Sequence, residues 1–294
     1  MVKKIKFSKI AISSTSKDSR VKLIASQIYE ILRNKECEVF HDDTLIRFKS
    51  SLKSKYRNQK YILNNSDLII AIGGDGTILN CSRQYGSKGL PILGINLGKL
   101  GFLSDIAPKN ITNDLLEVME GNFVKDSRFF LSTKINNQKN YLALNEVVIH
   151  SGAIAQLIEF DLFINNDFVY RQKADGIIVN TPTGSTAYSL SGGGPIVHPA
   201  LEAITILPMF PQSLSTSPLV VDSSSVIRIE LISKKTKAML SFDSHDNLSF
   251  KEGASIEIIK SDSPLTLIHP KDHDFYESCR TKLGWSTNII KTEE

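Results

Sequence analysis

No glycine precedes position 73, only three cysteines occur among 294 residues, and no apolar run comes near the length of a membrane span. Each scarcity excludes something. Cys37, Cys81 and Cys279 are odd in number, far apart and in no CxxC or Cys/His spacing, so neither a disulfide framework nor a structural zinc is expected, and the thiols read as buried. Apolar runs such as Leu68 to Ile72 fall far short of the ~20 residues that cross a bilayer, and MVKKIKFSKIAISS lacks the apolar stretch of a signal peptide. A cytoplasmic protein with no membrane partner is expected. Basic residues number 35 against 31 acidic, and the resulting +4 is spread along the chain, so no nucleic-acid partner is expected either.

Apolar residues make up 41% of the chain and charged residues 22%, enough for a buried core. A single core stops growing near ~250–300 residues, which predicts two domains. The glycines show where they work. Eight lie in 73–101 and five in 176–194, so two short windows hold 13 of the 17. Glycine frees the backbone for close approach to a ligand, and two loop systems forming one site are expected.

The first ~120 residues alternate strand and helix patterns. Ile5 to Ser13 is β-rich, and Val21, Ile24, Ile28 and Ile31 recur at helical spacing after a candidate N-cap, Asp18 or Ser19. Leu68 to Ile72 and Pro91 to Asn96 read as strands covered on both faces, with a helix starting near Thr77 between them. This predicts an α/β domain with a parallel sheet over 1–121, after a helix around Asn113 to Glu120 ended by Gly121. The pattern then changes to period two: Ile158, Phe160, Leu162 and Ile164 alternate with polar residues, and Asn165-Asn166-Asp167 makes a turn. Further β runs at Ala143–His150, Val226–Leu231, Met239–Phe242 and Ser255–Ile259 predict a mostly antiparallel β-sandwich domain over 122–264.

Gly73-Gly74-Asp75-Gly76-Thr77 stands between a buried strand and a helix start, where free amides and the helix dipole favour a phosphate. Gly73, Gly74 and Thr77 are candidate phosphate-loop residues. A carboxylate there would repel phosphate unless it met a metal, a hydroxyl or a proton, so Asp75 points to phosphoryl transfer, orienting an alcohol and taking its proton. No GxxxxGK[ST], no GxGxxG after a strand and no kinase HRD or DFG element is present. The run TPTGSTAYSLSGGGP at 181–195 suits a loop wrapped around a hydroxyl-bearing ligand, and Asn145-Glu146 adds an amide able to pair with an adenine edge and a carboxylate able to accept from ribose. His198 reads as closing its loop, Trp285 as packing in the tail, and His41, His150, His269 and His273 as lacking metal spacing.

Together GGDGT (73–77), NLGKLGFLSD (96–105), NE (145–146), KADG (173–176), TPTGSTAYSLSGGGP (181–195), IHP (268–270) and TKLGW (281–285) resemble the NAD kinases of the proteobacterial branch in order and spacing. The resemblance implies transfer of the γ-phosphoryl group of ATP to the 2′-hydroxyl of the adenosine ribose of NAD, with a divalent metal, magnesium being expected. It also implies a C-terminal tail, 265–294, returning to the first domain, and a homo-oligomer, a dimer or tetramer. Asp75 matches the family's catalytic aspartate, beside Gly76 in the substrate loop. Asn145 and Glu146 match the pair holding adenosine, and Thr186, Ala187, Tyr188, Ser189, Leu190 and Ser191 the pocket around adenine and ribose. Asp175 matches a carboxylate that in the oligomer reaches a neighbour's nicotinamide end. Lys173 stands where that branch usually has Arg, a basic position associated with preference for NAD over NADH, and Gln156 and His245 fall at further contact positions. A lipid or sugar kinase sharing GGDG, or a catalytically silent nucleotide-binding regulator, are the alternatives. The first does not explain TPTGSTAYSLSGGGP beside Asn145-Glu146, and the intact Asp75 speaks against the second.

Overall fold

The computed structural model describes residues 6–48, 52–98, 101–136, 140–152, 156–213, 216–232 and 238–285. It comprises two compact units, one formed by Met1–Ser127 together with Leu265–Glu294, the other by Arg128–Pro264.

The first unit is built on a seven-stranded sheet whose strands run, edge to edge, Lys55–Tyr56, Glu38–His41, Lys9–Ser13, Leu68–Ile72, Ile92–Ile95, Leu265–Pro270 and Phe123–Arg128. The pairs from the Lys55–Tyr56 edge through to Leu265–Pro270 are parallel. Leu68–Ile72 is buried at every position, as a continuous apolar run in a sheet covered on both faces must be. The helix Arg20–Arg33 turns Val21, Ile24, Ala25, Ile28 and Leu32 inward, where they join Ile10, Ile12, Ile70 and Leu93 in one core. Its N-cap position is Ser19, which makes no side-chain cap bond, and the Asp18 carboxylate instead accepts from the Arg20 amide at 2.8 Å. The β-rich opening is shorter than expected: the strand is Lys9–Ser13, and Ile5 lies outside the described residues.

The second unit packs two six-stranded antiparallel sheets over one core, to which Phe160, Leu162, Ile177, Ile204, Ile229, Leu240 and Ile256 contribute from both. One sheet runs Asp167–Ala174, Ile158–Ile164, Ile227–Leu231, Ser255–Lys260, Leu131–Ile135, Asn140–Ala143; the other runs Leu219–Asp222, Ala203–Met209, Gly176–Asn180, Glu146–His150, Ala238–Phe242, Asp246–Phe250. The turn read at Asn165-Asn166 is present, with φ of 52° and 73°, left-handed values that Asn tolerates in a tight hairpin. An α/β unit and an antiparallel β-sandwich unit are therefore both present.

All three thiols are free; Cys81 and Cys279 are buried and Cys37 is half-buried. Burial pushes the Cys37 thiol up to about 11 and the Cys81 thiol up to about 12, which leaves both protonated and unreactive. Trp285 is not packed: it is 56% exposed. His198 closes its turn by accepting from the Ala200 amide at 3.2 Å.

Strand Leu265–Pro270 is pinned by a charged cluster at its end. His269 bonds Asp105 through Nδ1 and lies 3.4 Å from Asp126 through Nε2, while His273 Nδ1 is 2.8 Å from Asp105 and its ring stacks on His269 at 4.0 Å. Asp105, His269 and His273 offer donor atoms within 4.8 Å of one another, a grouping the spacing argument for these histidines missed because Asp105 arrives from 164 residues away. In this arrangement hydrogen bonds join them. Burial alone would lower His269, but the bonds to Asp105 and Asp126 outweigh it and hold the imidazole up to about 9. Burial likewise works against the Asp105 carboxyl, yet its two histidine partners hold it well below the carboxylate range. Because His269 is raised above its unfolded value of ~6.5, its stabilisation is complete below that pH and is lost as pH climbs through about 9. Thermal melts between pH 6.5 and 9.5 are expected to show a falling Tm, and His269→Gln to lower the Tm at pH 6.5 while flattening that fall. An unchanged pH slope in the variant would remove His269 as its source.

Candidate functional site

In the first unit, strand Leu68–Ile72 runs into Gly73-Gly74, and helix Asp75–Gln84 begins two residues earlier than the pattern suggested, because extended Gly74 serves as its N-cap. Gly73 cannot be replaced without strain: a Cβ there would stand 2.2 Å from Thr77 Oγ1. Thr77 is thereby buried, its hydroxyl 3.1 Å from that of Thr15, so its side chain supports the loop from beneath. Gly74 and Gly76 are exposed and have open space where a side chain would be.

Asp75 occupies the first turn, where the orphan amides of a helix leave a positive partial charge. Its Oδ2 accepts from the Phe102 amide and its Oδ1 from the Leu103 amide, both at 3.1 Å. Gly101 makes this possible, since a Cβ there would fall 2.1 Å from Asp75 Oδ1. Lys282 Nζ, on the helix Phe275–Leu283, lies 3.3 Å from Oδ2. The acid therefore carries an ion pair yet is not buried by it: the Asp75 side chain remains 29% exposed and that of Lys282 30%. Buried Ser104 Oγ and Asn96 Nδ2 have no hydrogen-bond partner among the described residues. Asp75 belongs to no group of three or more potential metal ligands among the described residues. A hard cation at this loop would take most of its oxygens from phosphates, which is how Mg2+ is commonly held.

In the second unit, Asn145 and Glu146 are buried at the start of strand Glu146–His150. Asp243 holds them there, its carboxylate accepting from the amides of Leu144 (2.9 Å), Asn145 (2.8 Å) and Glu146 (3.2 Å). Residues 183–191 are two short helical turns, Thr183–Thr186 and Tyr188–Ser191, where the sequence suggested an open wrap. They rest on Asn145 through Gly184, where a Cβ would stand 2.2 Å from the Asn145 carbonyl oxygen, and through Thr181, whose amide donates to that oxygen at 2.9 Å. Asn145 Oδ1, Glu146 Oε2, Asn180 Oδ1 and Ser189 Oγ are buried without a hydrogen-bond partner among the described residues, and Tyr188 is 46% exposed. Burial pushes the Glu146 carboxyl up to about 8; the charge of Asp243 adds to this and a bond from the Tyr188 amide opposes it.

These contacts bring Asn145, Glu146 and the Thr186–Ser191 turns together, with His245 exposed two residues beyond Asp243. Within that segment Thr186, Ala187 and Leu190 are half-buried, Ser189 is buried and Ser191 is exposed. Asp175, Lys173 and Gln156 are elsewhere. Asp175 precedes strand Gly176–Asn180, whose far end pairs Asn180 with Glu146, so the two acids are separated by about 17 Å of strand. Lys173 pairs with Glu159 at 4.0 Å, and exposed Gln156 leads into the strand that starts Ile158 opposite Ala174. The sequence reading passed over Asp243, Lys282 and the Phe102 and Leu103 amides. The one available signal was the glycine pair in the 98–103 stretch, and it bears only on the amides.

Residues 11–123 match the family profile described as ATP-NAD kinase N-terminal domain, and residues 144–270 match ATP-NAD kinase C-terminal domain. An NAD kinase of Marinobacter nauticus is 47% identical over 228 residues, 76% of this chain and 78% of that protein. One from Pseudomonas putida is 38% identical over 294 residues, 98% and 99% of the two chains. Among solved structures, yeast NADH kinase complexed with NADH superposes with a TM-score of 0.86 at 27% identity, covering 97% of this chain and 90% of that one. An NAD kinase from Archaeoglobus fulgidus in complex with ATP gives 0.71 at 29% identity, covering 90% and 94%. With profile matches spanning both units and relatives aligned from end to end, the chain belongs to the ATP-NAD kinase family.

Proposed function

We propose that this chain transfers the γ-phosphoryl group of ATP to the 2′-hydroxyl of the adenosine ribose of NAD, producing NADP. The observation that carries the reading is Asp75: a part-exposed carboxylate at a helix start, fixed by two loop amides, in a chain of this family. The 2′-hydroxyl gives its proton to that carboxylate as its oxygen bonds phosphorus, and the bond to the β-phosphate oxygen breaks with its electrons leaving on ADP. Magnesium would be held mainly by the donor's phosphates and would neutralise part of their charge, while the orphan amides of the first helical turn would meet those phosphates.

The second unit supplies the grip on NAD. Glu146, with a carboxyl near 8, and Asn145 present unpaired polar atoms suited to ribose hydroxyls and an adenine edge, and Tyr188 offers an exposed ring for stacking. Asp175, Lys173 and Gln156 stand about a strand's length from that cradle, so in our reading they serve a dinucleotide held by a neighbouring copy in a dimer or tetramer. No helix among the described residues is long and apolar enough to cross a membrane. A cytoplasmic location is proposed from the three free, scattered cysteines, which suit a reducing compartment.

Incubation with ATP, magnesium and NAD, followed with an NADP-specific dehydrogenase, is expected to show NADP accumulating; none above background removes the reading. In the same assay Asp75→Asn is expected to cut kcat by ~100-fold or more with NAD binding within a few-fold, because proton acceptance acts only in the transition state. Equal turnover would contradict the role of the carboxylate. Glu146→Ala is expected to weaken NAD binding by ~10-fold, the cost of about one charged or buried hydrogen bond, and unchanged calorimetric affinity would mean that the ribose contact lies elsewhere.

A further inference from the structure

We propose that Lys282, carried by the tail helix Phe275–Leu283, is a second charged group of the phosphoryl-transfer site, its ammonium facing the transferring phosphoryl group as Asp75 takes up the hydroxyl proton. The inference rests on the kinase reading above and deepens it.

Lys282 Nζ lies 3.3 Å from Asp75 Oδ2 and 5.0 Å from the centre of the Phe102 ring. Phe102 is the residue whose amide holds the same carboxylate oxygen, and its ring meets Phe275 of the tail helix at 6.5 Å. One lysine thus touches both the acid and the loop that aims it. Lys282 is not what holds the helix in place. Asp274 caps it by accepting from the Tyr276 amide at 2.8 Å, Arg280 bonds Asp274 at 2.8 Å, Ser278 and Cys279 are buried, and Gly284 ends the helix with a left-handed φ of 70°. An ion pair as exposed as this one also stabilises a fold very little. Its position is accounted for by charge, not by packing.

The chemistry gives that charge a use. Before transfer the Asp75 carboxylate neutralises the ammonium. As the 2′-oxygen bonds phosphorus and its proton passes to Asp75, the carboxylate loses its negative charge. At that moment Lys282 becomes uncompensated, and its charge is free to attract the equatorial phosphoryl oxygens on which negative charge develops. The electron pair of the breaking bond leaves with ADP, and the lysine keeps all its protons throughout. Attraction that rises only during transfer increases kcat and leaves ground-state binding alone.

The test compares wild type, Lys282→Met and Lys282→Arg in the coupled NADP assay, with KM for both substrates and a thermal melt for each. Lys282→Met is expected to lower kcat by ~10–100-fold, with both KM values within ~3-fold and the melt unchanged, and Lys282→Arg to recover part of the loss. A Met variant with kcat within ~2-fold of wild type overturns the inference. So does a loss matched by weaker substrate binding or a lowered melt, or an Arg variant no better than Met. A wild type that forms no NADP defeats the kinase reading and this inference together, whereas an active wild type with an indifferent Lys282→Met defeats only this one.

Discussion

A carboxylate that accepts hydrogen bonds from successive backbone amides is the interaction on which each unit's site depends. In the second unit Asp243 gathers the amides of residues 144, 145 and 146, and in the first Asp75 gathers those of 102 and 103. Hydrogen bonds to a charged acceptor are stronger than neutral ones, and two or three to one side chain fix a loop's direction as well as its position. Without Asp243, three consecutive buried amides would need other partners, and Asn145 and Glu146 would lose the backbone that aims them. The backbone accommodates the arrangement at Asp243 and Ser244, both of which take left-handed φ angles, 47° and 59°.

The same device divides labour between acids. Asp243 spends its oxygens on amides, while Glu146 Oε2 has no partner among the described residues and its carboxyl is pushed up to about 8. Near neutral pH such a group holds a proton and can both donate and accept toward a sugar diol. Environment assigns different work to two carboxyls only a strand's edge apart.

How much of this was legible beforehand depended on whether the information was local. Leu68–Ile72 and Ile92–Ile95 are apolar without interruption, and the Asn165-Asn166 turn carries its own conformational preference, so each could be read in isolation. Strand Phe123–Arg128 could not: it is an edge strand, mostly solvated, and Lys125, Asp126, Ser127 and Arg128 leave neither face of it apolar. The helix after Gly74 starts earlier than its apolar pattern because Asp75 is occupied by a loop rather than by the core. At the site, the residues that would meet substrate are reactive types in short motifs and could be named. Asp243 and Lys282 could not be, since their meaning lies in partners 97–99 and 207 positions away and, for Asp243, in backbone atoms that every residue possesses.

Strand Leu265–Pro270 sits inside the seven-stranded sheet, between Ile92–Ile95 and Phe123–Arg128. A growing polypeptide therefore leaves an unfilled slot in that sheet until residues 265–270 have followed the sandwich. The inserted sandwich, Arg128–Pro264, has all of its strands before that point. Closure of the sandwich thus requires no residue after 264, whereas the sheet that begins the chain is completed only by residues 265–270.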